Sequence, residues 1–175
     1  MLQPINELEN WYKQDDPWKY ENNSDDLNRK NILLSEIPVK DYRNVLDIGC
    51  GQGFITRDLP GKNILGVDIS LEAINKARLY QSQRINFLHS SIFELQNKLT
   101  DKYDLIIITG VLYPQYIGNS YNLIYTVLDK LLDKSGVLVS VHIEDWYKLR
   151  FPYLMLKEYF YKYRDFTHRL EVYVK

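Results

Sequence analysis

Val45-Leu46-Asp47-Ile48-Gly49-Cys50-Gly51-Gln52-Gly53 carries an apolar strand into an acid and then three glycines at alternate positions. Phe54, Ile55 and Leu59 follow at roughly helical spacing, so the stretch reads as strand, glycine turn and helix. Glycine permits positive φ and, having no Cβ, lets a ligand lie directly on the backbone. Amides at the start of the expected helix would point at whatever sits above the turn. This is the first unit of a nucleotide-type site. A dinucleotide fingerprint is G-x-G-x-x-G, but counting from Gly49 the sixth position is Phe54, and Gly53 comes one residue early. Asp47, two residues before the first glycine, would repel a pyrophosphate and suit an ammonium group. The pattern fits a ligand with a cationic amino-acid end, and it lacks the G-K-[ST] ending of a P-loop.

Outward from the turn, apolar runs alternate with helical patterns. Asn63–Ile69 and Ile85–His89 read as the second and third strands. Ser70 offers an N-cap to a helix through Leu71, Ile74 and Ala77. The run 103–109 (YDLIIIT) is continuously apolar after its start, as in a strand buried on both faces of a parallel sheet. Leu123, Ile124, Val127, Leu128, Leu131 and Leu132 form a stripe of period 3.6 after Ser120, and the run 137–143 gives a fifth strand. The order predicts right-handed βαβ units and an α/β, Rossmann-like sheet. The tail breaks the pattern: 159–166 and 168–174 read as two tightly joined strands, an antiparallel hairpin at the sheet edge. The first 40 residues are expected to be a helical or lid segment, with Ser24 as cap and Leu27, Ile32, Leu33 and Ile37 facing inward; residues 41–175 are expected to form the ligand-binding domain.

The whole chain narrows the function classes. Its 175 residues suit one domain, and 45% hydrophobic with 26% charged residues is ordinary for a soluble globule. A net charge of −1, without a basic run, gives no footprint for nucleic acid. The single cysteine excludes an internal disulfide, no His, Asp or Glu set has metal-ligand spacing, and no apolar run is long enough for a membrane span. The N-terminus has no apolar signal core, so the expected location is cytoplasmic and no metal is expected.

VLDIGCGQG resembles motif I of the class I S-adenosylmethionine-dependent methyltransferases. The resemblance implies a seven-stranded sheet whose last strand inserts antiparallel, S-adenosyl-L-methionine as cofactor and S-adenosyl-L-homocysteine as product. The turn, with Asp47, Gly49, Cys50, Gly51 and Gly53, would then hold the cofactor. Asp68 ends the second strand 21 residues after Asp47, where a carboxylate can accept both ribose hydroxyls, and Ile69 would lie against the adenine. The family often places an acid where Ser91 falls, followed by an amide for the base, here that of Ile92. Thr109 begins the segment that borders the methyl group, and Arg29 is a fork donor suited to the cofactor carboxylate.

Thr109-Gly110-Val111-Leu112-Tyr113-Pro114 lacks the N/D-P-P-Y tetrapeptide of purine-N6 and protein amine methylation. Its V-L-Y is similar to methyltransferases related to the nodulation protein NodS, which act on the amino group of a sugar unit, and Asp16-Pro17-Trp18 and Thr167-His168-Arg169-Leu170 point the same way. Such chains commonly have an acid where Gly110 stands. The expected acceptor is therefore a small molecule, an amino or hydroxyl group of a sugar or nucleotide sugar. The alternatives are a small acid or xenobiotic methylated on oxygen or sulfur, and a non-catalytic cofactor-binding partner. Tyr113 and His142 are the candidate catalytic groups. Trp18, Tyr20, Tyr113, His142 and Asp145 are expected to touch the acceptor, with the aromatic stretch near residues 11–20 as a closing lid. His89 and His168 are expected to be structural.

Overall fold

The computed structural model describes residues 2–20 and 23–175. After α1 (Ile5–Tyr12) and α2 (Ser24–Glu36) come β1 (Asn44–Ile48), β2 (Asn63–Asp68), α3 (Leu71–Ala77), β3 (Ile85–His89) and α4 (Leu95–Lys98). The second half contains β4 (Tyr103–Thr109), α5 (Pro114–Ile117), α6 (Tyr121–Leu131), β5 (Leu132–Ile143), β6 (Leu154–Tyr163) and β7 (Phe166–Val174). The seven strands form one sheet in the order β3-β2-β1-β4-β5-β7-β6. Strands β1 to β5 pair in parallel, while β7 inserts antiparallel between β5 and β6. The mostly parallel Rossmann-like sheet and its C-terminal hairpin are as expected, although β6 starts five residues earlier than the sequence reading placed it.

Side-chain alternation distributes the core between the two faces. Leu46, Ile106, Ile108 and Leu138 point to one face and pack with Ile124, Val127, Leu128 and Leu131 of α6. Val45, Leu105, Ile107 and Val139 point to the other and meet Leu33 of α2, Phe54 and Ile74 of α3. A one-residue slip of any central strand would exchange these sets, so the apolar pattern fixes the register. Ser70 caps α3 as predicted, its hydroxyl accepting the amide of Ala73.

Two local expectations are corrected. The glycine turn is followed by a single 3-10 turn, Thr56–Asp58, and not by an α-helix. Only the nine residues 54–62 separate Gly53 from β2, and Pro60 forces Leu59 into an extended conformation (ψ 143°). In α2, Asn23 is the cap, accepting the amide of Asp25, and Ser24 is the first helical residue. Its inward face is largely charged. Asp26, Arg29 and Lys30 are buried beside Leu33, whereas Leu27 is 40% exposed. Glu21 and Asn22, within the stretch expected to be helical, lie outside the described residues. Among the described residues, no helix is long and apolar enough to cross a membrane.

Candidate functional site

The carboxyl ends of β1, β2 and β4 open into one cavity of about 380 Å³. Its floor is the glycine turn. Gly49 and Gly51 have φ of +77° and +52°, and a Cβ on Gly49 would lie 2.1 Å from Val111 Cγ2. Glycine is required there for both reasons. Gly53, also at positive φ, does not face the cavity; a Cβ there would press on the ring of Phe87 at 3.1 Å. A glycine here lets the turn pack closely on Phe87 of β3.

The turn amides act differently from the expected helix terminus. Those of Gly49 and Cys50 donate to the carbonyl of Val67, and that of Gly51 donates to Asp68 Oδ2 at 2.8 Å. Asp68 Oδ1 accepts the amide of Ser70 at 2.9 Å. The carboxylate is therefore clamped at the edge of the turn, each oxygen keeping further lone-pair capacity. Burial pushes its pKa above the ordinary carboxylate value. Asp47 lies beneath the turn, where its carboxylate accepts the Thr56 hydroxyl at 2.6 Å. Burial pushes its carboxyl up to about 6, against the lowering effect of that bond. Cys50 lines the cavity, and burial keeps its thiol well above the usual range, so it is an inert wall group.

Ile69, Ser91, Ile92 and Thr109 line the same cavity. The Ser91 hydroxyl accepts the amide of Phe93, capping a 3-10 turn. Gly110, where related chains have an acid, has φ +66° and nothing within 4 Å of a built Cβ. The absent side chain leaves open space.

The N-terminal segment closes the opposite wall. Tyr12, Trp18 and Tyr20 all line the cavity, and Trp18 stacks on Tyr20 at 6.3 Å. The segment is fastened by Glu9, a residue that sequence reading missed. Its carboxylate accepts the Ser70 hydroxyl at 2.7 Å and the amides of Leu71 and Glu72 at 2.8 and 3.1 Å. Burial alone would raise the Glu9 carboxyl, but these bonds outweigh it and hold it below the ordinary value. Nothing in sequence separates Glu9 from any exposed helical acid.

Arg29 also reaches the cavity, lying between the rings of Tyr20 and Tyr163 at 5.1 and 5.3 Å from their centroids. It is 7% exposed, and its Nε has no hydrogen-bond partner among the described residues.

On the β4–β7 side, the expected catalytic pair is revised. Tyr113 lines the cavity, and its hydroxyl accepts the amide of Ile143 at 2.9 Å. Burial pushes the phenol up to about 12, so it is a neutral donor and not a base. His142 is 1% exposed and off the cavity wall. Its Nε2 accepts the amide of Leu112 at 3.2 Å, and Nδ1 meets the Ser140 hydroxyl at 3.1 Å. Burial keeps it neutral, with its pKa well below the usual value. It braces the backbone beneath Tyr113 and does not line the cavity. Asp145 is exposed and off the cavity; its neighbour Trp146 lines it instead.

His168, expected to be structural, lines the cavity and stacks on Tyr163 at 4.1 Å. Burial and the Arg29 charge push it down to about 3, so the imidazole is neutral. Its T-H-R-L setting was the available signal. His89 is off the cavity, with its Nε2 2.9 Å from the Ile69 carbonyl. Among the described residues, no three His, Cys, Asp or Glu side chains are grouped to hold a metal ion.

A floor of obligatory glycines, a clamped strand-end carboxylate and an aromatic wall form one enclosure. Comparison with known proteins agrees with this architecture. N-methyltransferase NodS from Bradyrhizobium japonicum WM9, in complex with S-adenosyl-L-homocysteine, is similar over 98% of this chain and 97% of its own, at 22% identity and a TM-score of 0.80. Ubiquinone biosynthesis O-methyltransferase of Glaesserella parasuis serovar 5 (strain SH0165) is 29% identical over 143 residues, 76% of this chain. A bifunctional methyltransferase of Rickettsia conorii (strain ATCC VR-613 / Malish 7) is 36% identical over 88 residues, 45% of this chain. The chain spans 59% and 16% of the lengths of these two curated relatives. A methyltransferase-domain model matches residues 40–168, nearly three quarters of the sequence, and the chain belongs to that methyltransferase domain family.

Proposed function

We propose that the chain is an S-adenosyl-L-methionine-dependent methyltransferase acting on a small molecule, with an amino or hydroxyl group of a sugar or nucleotide sugar as acceptor. The carrying observation is the continuity of one cavity from the glycine turn and Asp68 to the aromatic wall at Tyr113 and Trp146. The whole-chain likeness to an N-methyltransferase supports the amino group, and the flat aromatic lining suits a sugar face.

The residues present fit the cofactor. Gly49 and Gly51 leave a backbone surface that a Cβ would fill, and Asp68 retains acceptor capacity for two ribose hydroxyls. Ile69 and Ile92 flank the place of a base, with Ser91 as a polar neighbour. The guanidinium of Arg29, which lines the cavity, suits the carboxylate of an amino-acid end, and Asp47 adds negative potential below its ammonium. When bound, the cofactor supplies a methyl group on a sulfonium whose leaving ability comes from its own charge.

The chain's residues then contribute position and enclosure more than proton transfer. Tyr12, Trp18 and Tyr20, fastened through Glu9, exclude water from one side; residues up to Tyr20 act as the lid. Tyr113, neutral and fixed by the Ile143 amide, is placed to donate a hydrogen bond to a polar group of the acceptor beside the attacking atom, whose lone pair stays free for the methyl group. His168, neutral, offers ring polarity without being a strong base. An amine acceptor therefore has to arrive deprotonated.

Calorimetric titration with S-adenosyl-L-homocysteine tests the reading. Wild type is expected to bind in the micromolar range and Asp68→Ala about 100-fold more weakly, on the order of 2.7 kcal/mol for two lost hydrogen bonds to a charged group. Folded wild type that does not bind would overturn it.

A further inference from the structure

The cavity is not electrically uniform. Among the described residues, its lining carboxylates, Asp47 and Asp68, both lie at the glycine turn, whereas its guanidinium groups, Arg29 and Arg164, pack on Tyr163 toward the hairpin end, with Arg29 still close enough to act on Asp47. At that end both cations share one buried carboxylate. Asp26 accepts Arg164 Nη2 at 2.6 Å and the Tyr163 hydroxyl at 2.6 Å, while Arg29 Nη2 approaches it only to 3.7 Å. Among the described residues, two positive charges there face one negative charge. The Nε of Arg29 and the Nε of Arg164 are both buried and lack a hydrogen-bond partner among the described residues. Those two nitrogens are sealed by protein, but the Arg164 side chain as a whole is 34% exposed and lines the cavity, so the rest of its guanidinium is open to a ligand there.

Arg164 is placed there by an unfavourable backbone conformation. It opens the two-residue connection between β6 and β7 with φ +51°, which glycine and asparagine adopt more readily than arginine. Its Nη2 also donates to the Trp18 carbonyl at 2.6 Å, fixing the guanidinium against the N-terminal wall.

We infer that the acceptor is anionic, carrying a phosphate or carboxylate group that Arg164 holds at the hairpin end of the cavity. This rests on the methyltransferase reading above and narrows its acceptor. The amino-acid end of the cofactor brings its own ammonium with its carboxylate, so Arg29 can hold that carboxylate without cancelling the excess positive charge. The same charge disfavours a free cationic amino sugar, and the open space over Gly110 offers it no carboxylate. A sugar nucleotide and an aromatic acid both present the required oxygens.

The test starts from protein saturated with S-adenosyl-L-homocysteine, so failure of cofactor binding is seen separately and falls on the methyltransferase reading alone. Calorimetry then compares UDP-glucosamine, 3,4-dihydroxybenzoate and free glucosamine. At least one anionic probe is expected to bind tenfold or more tightly than glucosamine, and which one identifies phosphate or carboxylate. Arg164→Met is expected to remove that preference and Arg164→Lys to restore part of it, the ratio of probe affinities being read for each variant at saturating S-adenosyl-L-homocysteine and folding being checked by circular dichroism. Anionic probes that bind no better than glucosamine, or a preference that survives in Arg164→Met, would overturn the inference.

Discussion

The two halves of the sheet build their shares of the cavity by different means. The β1–β3 half works through backbone: glycines at positive φ, amides turned onto Val67 and Asp68, and a carboxylate clamped by two of them. The β4–β7 half works through side chains: Tyr113, Trp146, Tyr163 and Phe166 wall it, and two arginines charge it. Backbone chemistry is indifferent to the acceptor, so the first half suits a constant ligand. Side chains are replaceable, so on the proposed reading the second half is where an acceptor is chosen.

The contrast can be broken most directly at its two glycines. Gly49 and Gly110 both have positive φ, but only Gly49 meets a neighbour, Val111, at 2.1 Å. Gly49→Ala combines left-handed strain with overpacking and is expected to cost about 4 kcal/mol. Gly110→Ala carries the strain alone, about 1 kcal/mol. Urea unfolding of both variants measures this; equal losses would mean that the two turns are built alike.

Asp47 gives the next largest effect and separates the halves by pH. Its folded value of about 6 lies above the ordinary carboxylate value of 3.8. The folded protein therefore retains a proton that the unfolded chain releases, so this contribution to stability is present below pH 4 and lost as pH rises through 6. Asp47→Asn, which can still accept from Thr56, is expected to be more stable than wild type by roughly 3 kcal/mol at pH 8 and equal to it at pH 4. Parallel unfolding midpoints across that window would remove Asp47 as the source of the acid half's pH dependence.

Glu9 is the smallest of these effects and joins the halves. Through Ser70 it steadies Asp68, and through α1 it carries the aromatic wall. Glu9→Gln keeps size but weakens the hold on the Leu71 and Glu72 amides, and is expected to lower affinity for S-adenosyl-L-homocysteine about fivefold, roughly 1 kcal/mol. Hydrogen exchange at residues 5–20 should quicken in parallel. Quicker exchange with unchanged affinity would show that the segment covers the site without supporting it.

How much of the site could be read in sequence follows the same division. The glycine turn, Asp68 and Ile69 are found by spacing because a backbone cradle needs glycine at fixed offsets from a strand. Tyr113 was found by its place after β4, but its protonation and its bond to Ile143 depend on a strand 30 residues away. His142 and His168 were read the wrong way round. Alternation sends neighbours on a strand to opposite faces, but which face borders the cavity depends on β7 lying beside β5. Asp145 and Trp146 were confused for a similar reason, the turn after β5 deciding which one looks inward.

The sequence by itself determined the α/β class, the parallel core and the cavity-facing end of β1 and β2, because period, glycine spacing and strand-end acids are local consequences of backbone geometry. It also signalled the antiparallel tail. Only the tertiary structure decided that α2 buries Asp26, Arg29 and Lys30, that Glu9 fastens the N-terminal segment to α3, and that Arg164 charges the far end of the cavity. Charged side chains carry no periodic signature of burial. Their place is set by partners distant in sequence, as Asp26 is by Tyr163 and Arg164.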